Sequence, residues 1–261
     1  MTMRNTTRLV LAAAILAAGT GIAAAKEWTT VRIGTDATYP PFESQDASGA
    51  IVGFDIDIMN AVCEELKITC NIENTAWDGI IPALVTGKID AIISSMSITP
   101  ERLEQIDFTD KVYQTPPALA VPKDSDIAGA APGDVAGKII GAQVSTTHAT
   151  YIEQMYPDAE LRTYPTADEY KLDLASGRLD GAVDDIVVLN DWLATPDGEC
   201  CKIAAVIANV PEIHGAGAGI GVRKEDTDLK DMLNRGLAAI IANGKYKEIN
   251  DKYFTFDAYG G

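Results

Sequence analysis

The sequence predicts an α/β protein of two similar lobes, and an internal repeat is the first observation behind this prediction. Residues 84–95 read Leu-x-x-Gly-Lys-Ile-Asp-Ala-Ile-Ile-Ser-Ser, and residues 174–185 read Leu-x-x-Gly-Arg-Leu-Asp-Gly-Ala-Val-Asp-Asp. Each copy is typical of a helix end, a glycine stop, a basic residue and a short buried strand. Both strands end in a polar pair, and ligands of open α/β sheets bind beyond the carboxyl ends of the strands. The repeat therefore favours a small polar molecule held between two lobes.

The order of the predicted elements is the second observation. In each half of the chain a strand enters a polar loop, a helix follows, and the repeated unit comes later. Apolar residues recur at helical spacing in the first of these helices. The predicted strands are 31–34, 118–121 and 138–141, and the predicted helices are 54–66, 147–155, 227–243 and 245–253.

The two predicted lobes are not separate halves of the chain. We expect the chain to cross to the second lobe near 114–118 and to return near 209–215. Residues 26–115 plus 212–261 are accordingly assigned to lobe 1, and residues 116–211 to lobe 2. Two crossings form a hinge that can open and close around a ligand.

The N-terminal segment has the pattern of a cleaved secretory signal peptide. Within residues 1–25, Arg4 and Arg8 precede an apolar run at 9–18, and three alanines supply a cleavage site. A membrane anchor is the alternative, but the apolar run is too short to cross a bilayer. No cysteine follows the run, so no lipid anchor is expected. The sequence predicts a soluble exported protein that begins near Lys26.

Net charge excludes some classes of partner, and cysteine use agrees with export. The chain has a net charge of −17, which repels nucleic acid and anionic membranes. Cys63 and Cys70 lie at a predicted helix end and the next strand start, and an oxidising compartment favours a disulfide between them. Cys200 and Cys201 could bridge each other, stay reduced or bind metal weakly, and a surface loop without a catalytic role is favoured. The two histidines lack metal-ligand spacing, so neither a metal nor another cofactor is expected.

One candidate site lies where the first copy of the repeat ends. Thr-Pro-Glu at 99–101 predicts a helix start with threonine at the N-cap, which places Arg102 in the first turn. Its guanidinium group lies a few residues beyond a serine-rich strand end and suits bidentate capture of a carboxylate. These serines are Ser94, Ser95 and Ser97. The alternative is a surface arginine that pairs with Glu101 or Asp107.

The second copy of the repeat supplies complementary groups. Ser145-Thr146-Thr147 also opens a predicted helix, whose free N–H groups and hydroxyls suit an anion, and a plain N-cap is the compatible alternative. Asp185 could hold an ammonium group, whereas Asp184 should point the other way because side chains alternate along a strand. We therefore expect a receptor for a zwitterion, with one of the two aspartates serving a structural role.

Two aromatic residues and an aspartate extend this site toward a ligand side chain. Tyr39 and Trp77 lie in predicted loops and could sandwich methylene groups or stack on a cation. Packing in the lobe core is the alternative for both. Asp36 beside them could bind a second positive charge, which favours a ligand with a cationic side chain.

Four segments carry a resemblance to a known family. They are Gly34-Thr-Asp-Ala-Thr-Tyr-Pro-Pro-Phe42, Gly53-Phe-Asp-Ile-Asp57, Asp90-Ala-Ile-Ile-Ser-Ser-Met-Ser-Ile-Thr99 and Leu179-Asp-Gly-Ala-Val-Asp-Asp185. They resemble the periplasmic polar-amino-acid-binding proteins of ABC importers, solute-binding protein family 3, and most of all the lysine/arginine/ornithine- and histidine-binding branch. The resemblance covers essentially all of 28–260. It implies a type II periplasmic-binding fold, an amino-acid ligand, membrane permease subunits as partners, a periplasmic location and a monomeric chain.

The resemblance also implies a role for each candidate residue. Arg102 and Thr146 would bind the α-carboxylate of the ligand, and Asp185 its α-ammonium group. The other implied assignments are Ser95 and Ser97 in support, Asp36 and Ser94 at the distal cation, Tyr39 and Trp77 beside the side chain, and a Cys63–Cys70 disulfide. Two departures lie in the loop of lobe 2 and bear on the side-chain length that is accepted. Val144 stands where a glycine is common, and Thr147 where a glutamine is frequent.

Other functions are compatible with the same fold. Periplasmic dehydratases that act on cyclic precursors of aromatic amino acids would need a general acid or base near the scissile group. The recognisable carboxylates of the cleft already have binding roles, so the sequence predicts a binding protein and not an enzyme. A sensor domain would need a partner to carry its signal, because the chain ends soon after the last predicted helix.

Overall fold

Two five-stranded sheets organise the protein, whose computed structural model describes residues 27–260. The first sheet and the elements packed on it form lobe 1, and the second sheet and its elements form lobe 2. The strands are β1 (Thr30–Thr35), β2 (Thr38–Tyr39), β3 (Glu43–Gln45), β4 (Ile51–Val52), β5 (Thr69–Asn74), β6 (Ala91–Ile92), β7 (Asp107–Tyr113), β8 (Pro117–Pro122), β9 (Ile139–Gln143), β10 (Glu160–Tyr164), β11 (Gly181–Asp185), β12 (Cys201–Val206) and β13 (Ala218–Val222). The α-helices of this part of the chain are α1 (Phe54–Leu66), α2 (Trp77–Val85), α3 (Pro100–Gln105), α4 (Thr147–Met155), α5 (Ala167–Ala175), α6 (Ile186–Leu193), α7 (Pro211–His214), α8 (Thr227–Ala242) and α9 (Lys245–Tyr253).

The two sheets follow the same plan. In lobe 1 the strand order is β5-β1-β6-β13-β7, with β1 parallel to β5 and β6 and with β13 antiparallel to both of its neighbours. In lobe 2 the order is β10-β9-β11-β8-β12, with β9 parallel to β10 and β11 and with β8 antiparallel to both of its neighbours. Because parallel strands end at the same edge of a sheet, β1 and β6 deliver their polar residues together, as do β9 and β11.

The chain passes between the two sheets twice. Residues 114–116 join β7 to β8, and residues 207–217, which include α7, join β12 to β13. The predicted signal peptide at 1–25 lies outside the described residues. Among the helices at 27–260, none is long and apolar enough to cross a membrane.

Lobe 1 packs around helix α1. Its buried face carries Phe54, Met59 and Val62 at helical spacing. Phe54 meets Tyr113 edge to face, and Tyr113 stacks on Phe42 with ring centroids 4.6 Å apart. Phe42 follows the polar loop after β1, so this aromatic cluster anchors the loop that carries the predicted binding residues of lobe 1.

Two disulfides are present in the described residues. Cys63 at the end of α1 is bonded to Cys70 in β5, as the sequence predicted. Cys200 is bonded to Cys201 at the start of β12, which is the first of the three alternatives that the sequence left open.

Several helix ends follow the capping signals of the sequence. Thr99 caps α3 and accepts a hydrogen bond from the backbone N–H of Arg102. Gly87 and Gly177 both take a φ of 73° after α2 and α5, a left-handed conformation that glycine adopts readily. The prediction that Tyr39 and Trp77 lie in loops was wrong, because Tyr39 belongs to β2 and Trp77 is the first residue of α2. That helix begins without a side-chain cap, and the sequence signal of a helix start is therefore missing.

Candidate functional site

A cavity of about 380 Å³ lies between the two lobes, where β1, β6 and β9 end. The lining residues from lobe 1 are Asp36, Tyr39, Glu43, Trp77, Ser94, Ser95, Ser97 and Arg102, and those from lobe 2 are Gln143, Thr146, Thr147 and His148. Most residues that the sequence singled out therefore meet in one place.

A second compartment of about 460 Å³ adjoins this cavity beside the two crossing segments. Residues that line both spaces are Tyr39, Ser95, Ser97, Thr147 and His148. Asp185 lines only the second compartment, whereas Arg102 lines the first. A ligand that contacts both Arg102 and Asp185 must therefore lie across the boundary between the two spaces.

Three hydrogen bonds join the lobes across the cavity. The Gln143 side-chain amide donates to Asp36 Oδ2 over 2.9 Å, and the Arg102 guanidinium donates to the carbonyl oxygen of Ser145 over 3.2 Å. The hydroxyl group of Tyr39 donates to Asp184 Oδ1. Each bond has its donor and acceptor on different lobes, so the lobes are closed over the cavity.

Arg102 is a buried cation without an acidic partner among the described residues. Its guanidinium donates to the carbonyl oxygens of Ser97 and Ser145, and it lies 5.2 Å from the centre of the Trp77 ring. Burial lowers the pKa of Arg102 to about 10. The surface alternative fails, since Asp107 pairs instead with Lys230 over 2.7 Å. A buried guanidinium of this kind suits a carboxylate supplied by a ligand.

The start of helix α4 faces Arg102 from lobe 2. Thr146 is the N-cap and accepts a hydrogen bond from the backbone N–H of Ala149 over 3.1 Å. Thr147 is the first helical residue and lines the cavity, in agreement with its place in the predicted helix start that suits an anion. Ser145 is exposed with a φ of 57°, and it reaches Arg102 through its carbonyl oxygen rather than its hydroxyl. The residue types alone could not show which member of the Ser-Thr-Thr run is the cap.

The two neighbouring aspartates of β11 have different surroundings. Asp185 accepts hydrogen bonds from the Val187 backbone N–H over 2.7 Å and from the Thr115 hydroxyl, and burial raises its pKa to about 6. Asp184 is buried and accepts hydrogen bonds from Tyr39 and Tyr170. It also lies 3.1 Å from His148, and both Tyr39 and His148 line the cavity, so Asp184 borders the ligand site rather than pointing away from it as the sequence predicted.

Asp36 is a buried acidic residue in the lining of the same cavity. Its backbone N–H donates to Ser94 Oγ over 2.8 Å, and its carboxylate accepts from Thr38 and Gln143. Burial raises the pKa of Asp36. Within residues 27–260 no lysine or arginine forms an ion pair with it. A cationic group of a ligand would satisfy this carboxylate.

A pair of buried carboxyl groups lies beneath the serine-rich end of β6, and sequence reasoning missed it. Ser95 donates its backbone N–H to Asp55 Oδ2 over 2.9 Å and its hydroxyl to Glu43 Oε2 over 3.2 Å. Burial, followed by repulsion from Asp55, raises the pKa of Glu43 well above its usual range, and burial raises that of Asp55 to about 7. The pair holds Ser95 at its φ of 51°. Asp55 stands in a quoted motif and Glu43 directly follows another, but only the fold brings them together.

The described residues contain no group of three or more histidine, cysteine, aspartate or glutamate side chains that could hold a metal ion. The cavity instead offers a buried cation, a buried anion, a helix N-terminus and hydroxyl groups. These groups bind charged and polar atoms without a cofactor.

The fold and this site define a class of protein that captures small solutes outside the cytoplasm. The chain belongs to the bacterial extracellular solute-binding proteins, family 3, whose sequence pattern matches residues 31–256.

Named relatives agree with this membership. The chain is 39% identical to ABC transporter arginine-binding protein 1 of Escherichia coli strain K12, over 95% of this chain and 98% of that protein. It is 43% identical to the L-arginine-binding protein of Pseudomonas aeruginosa, over 88% and 90% of the two chains. It is also 39% identical to the histidine-binding periplasmic protein of Salmonella typhimurium, again over 88% and 90%.

Solved structures share the fold. An ancestral arginine-binding protein bound to arginine has a TM-score of 0.81 at 33% identity, and the match covers 87% of this chain and 98% of that one. A Salmonella typhimurium periplasmic binding protein described for its high arginine specificity has a TM-score of 0.79 at 34% identity, over 87% and 99%. The predicted family and two-lobed fold are therefore confirmed.

Proposed function

We propose that this protein binds an L-amino acid with a cationic side chain between its two lobes and delivers it to an ABC importer. One observation carries the proposal: an unpaired buried cation, Arg102, and an unpaired buried anion, Asp36, line the same cavity. Burying a charge without a partner costs free energy, so the cavity favours a ligand that carries both complementary charges. An amino acid such as arginine, lysine, ornithine or histidine does so.

The α-carboxylate of the ligand is assigned to Arg102, Ser97 and the N-terminus of helix α4 at Thr146 and Thr147. Free N–H groups at a helix start favour an anion, and Arg102 adds a charge-assisted hydrogen bond. Ser145 contributes by accepting a hydrogen bond from Arg102.

The α-ammonium group is assigned to Asp185, with Ser95 in support. Ser94 and Asp36 would meet the distal cation, and the rings of Tyr39 and Trp77 would flank the methylene groups between the two ends. Each charge of such a ligand then faces an opposite charge of the site.

Opening and closing would use the two crossing segments. We assign residues 26–115 plus 212–261 to lobe 1 and residues 116–211 to lobe 2. A ligand that contacts both lobes favours the closed state by its difference in affinity for the two states. We further propose that the protein acts as a monomer in the periplasm, after cleavage of the predicted signal peptide, and docks on membrane permease subunits.

The rival enzyme function has less support. Glu43 is the cleft carboxylate that sequence reasoning did not assign, but its oxygens accept hydrogen bonds from Ser94 and Ser95. The named relatives reported above are binding proteins. An ancestral amino-acid-binding protein described as a precursor of cyclohexadienyl dehydratase shares the fold at 31% identity and a TM-score of 0.78. That protein is itself described as a binder.

Two measurements test the proposal. Mass spectrometry of the small molecules released when the purified protein is denatured should identify a cationic amino acid. Calorimetry should show binding of arginine, lysine, ornithine or histidine well below millimolar concentration. Preferred binding of glutamate or leucine would overturn the proposal, and chemical conversion of a bound cyclic acid would favour the enzyme.

A further inference from the structure

Gln143 is the last residue of β9 and is 5% exposed. It lies on lobe 2, lines the cavity and contacts Asp36 on lobe 1. Because Gln143 lies beside the Asp36 carboxylate, its amide group can influence which ligand cation binds.

The hydrogen bonds of Gln143 fix the orientation of its amide. The side-chain nitrogen donates to Asp36 Oδ2 over 2.9 Å and to the carbonyl oxygen of Pro165 over 3.0 Å. An amide nitrogen has two donors, so both are used. The Pro165 carbonyl can only accept, and a reversed amide would place an oxygen against it and against a carboxylate.

The amide oxygen of Gln143 therefore points away from these two partners. It accepts no hydrogen bond from the described residues. It is also not one of their fully buried polar atoms that lack a partner, so it remains accessible to a ligand. A neutral acceptor thus adjoins the Asp36 carboxylate on the wall of the cavity. The two acceptors belong to different lobes and come together only on closure.

Two adjacent acceptors discriminate between cations according to the number and geometry of the donors that each cation carries. A guanidinium is planar, carries five N–H donors in a rigid fork and is weakly hydrated, so it can serve the carboxylate and the amide oxygen at once. An ammonium group is compact, strongly hydrated and held on a flexible stem. A neutral amide oxygen adds a directional acceptor without adding charge. This favours the guanidinium group over the ammonium group.

We infer that Gln143 is a specificity-determining residue that makes the site prefer a guanidinium side chain, as in arginine, over the ammonium of lysine or ornithine and the imidazole of histidine. The inference rests on the proposed function and narrows its ligand class.

The test compares ligand preference in Gln143→Met with that of the wild type by calorimetry. Methionine keeps the length and volume of the side chain but removes the amide oxygen. A neutral hydrogen bond contributes roughly 0.5–1.5 kcal/mol, so the ratio of arginine to lysine affinity should fall about 3- to 10-fold. The shorter Gln143→Asn variant, which withdraws the oxygen, should lower the same ratio.

Tyr39→Phe is the matched control. It removes another hydrogen bond between the lobes, the one to Asp184, and leaves Asp36 and Gln143 untouched. Affinities for arginine, lysine, ornithine and histidine should then fall in parallel, with their ratios unchanged.

The outcomes separate this inference from the proposed function. If both Gln143 variants lower all affinities in parallel, Gln143 only holds the lobes together and the inference is overturned. A wild-type protein that binds lysine as tightly as arginine also overturns it, while the proposed function stands. A wild-type protein that binds no cationic amino acid overturns both.

Discussion

The hydroxyl group of Tyr39 in lobe 1 donates a hydrogen bond to the buried carboxylate of Asp184 in lobe 2. The ring of Tyr39 lines the ligand cavity, so its hydroxyl connects a wall of the binding site to the strand end of the opposite lobe. His148, on the same side of the cavity, places Nδ1 3.1 Å from the same carboxylate oxygen. The hydroxyl group of Tyr39 reaches Asp184 only when the lobes are closed, so closure also fixes the orientation of the Tyr39 ring.

Replacement of Tyr39 by phenylalanine should separate the contribution of the hydroxyl group from that of the ring. The ring remains as a wall, but the hydrogen bond to a charged group, about 1.5–3 kcal/mol, is lost on closure. We expect about a 10- to 100-fold weaker affinity for cationic amino acids. Small-angle scattering should still show a smaller radius of gyration at saturating ligand. An unchanged affinity would mean that the bond plays no part in closure.

Replacement of Arg102 by methionine should abolish binding without harming the ligand-free fold. Truncating one member of a buried charge pair costs about 2–5 kcal/mol or more, which is roughly a thirtyfold to several-thousandfold loss of affinity. Arg102 has no acidic partner within the described residues, so the melting temperature without ligand should change little. Calorimetry checks the first effect and thermal unfolding the second. A large drop in the ligand-free melting temperature would assign Arg102 a structural role.

Replacement of Asp36 by asparagine should weaken cationic ligands far more than neutral ones. The variant keeps the shape of the side chain but removes the charge that a ligand cation meets, worth about 1.5–3 kcal/mol in a charge-assisted hydrogen bond. Calorimetry with arginine and with glutamine should show the difference. Equal losses for both ligands would place the side chain of the ligand elsewhere.

Alanine substitutions of the two neighbouring aspartates should have different effects. Asp184→Ala leaves the hydroxyl of Tyr170 without its acceptor, at about 1–3 kcal/mol, and should lower the free energy of unfolding. It also removes the acceptor of Tyr39 and should weaken ligand binding about as much as Tyr39→Phe does. Asp185→Ala removes the N-cap of α6, about 1 kcal/mol, and should mainly abolish ligand binding. Urea unfolding and calorimetry on both variants check this order.

The buried pair of Glu43 and Asp55 should make stability depend on pH. Their folded-state pKa values are raised, to about 7 for Asp55 against its ordinary 3.8, so the folded protein binds protons more tightly than the unfolded chain. Their contribution is therefore full below about pH 4 and is lost as the pH rises through about 7. Relative to Asp55→Asn, the wild type should lose free energy of unfolding over this range. A pH-independent difference would show that the pair does not titrate there.

Local sequence patterns determined much of the fold. Helix α1 forms at 54–66 because apolar residues recur at helical spacing, and α3 starts at Pro100 because Thr99 is a good cap. The repeat around Gly87 and Gly177 predicted two similar sheets with polar strand ends. These features depend on interactions between residues close in sequence, which a pattern can show.

The tertiary structure alone decided how distant residues meet. Glu43, Asp55 and Ser95 are far apart in sequence and share hydrogen bonds only because β3, α1 and β6 pack together. No sequence pattern singled out Gln143, and its amide meets Asp36 only because the lobes are closed. The sequence by itself determined the lobes, the caps and the chemical types of the site residues, because these follow from short-range periodicity and strand ends. The pairing of those residues across the cavity depends on the packing of the two lobes, and no local pattern records it.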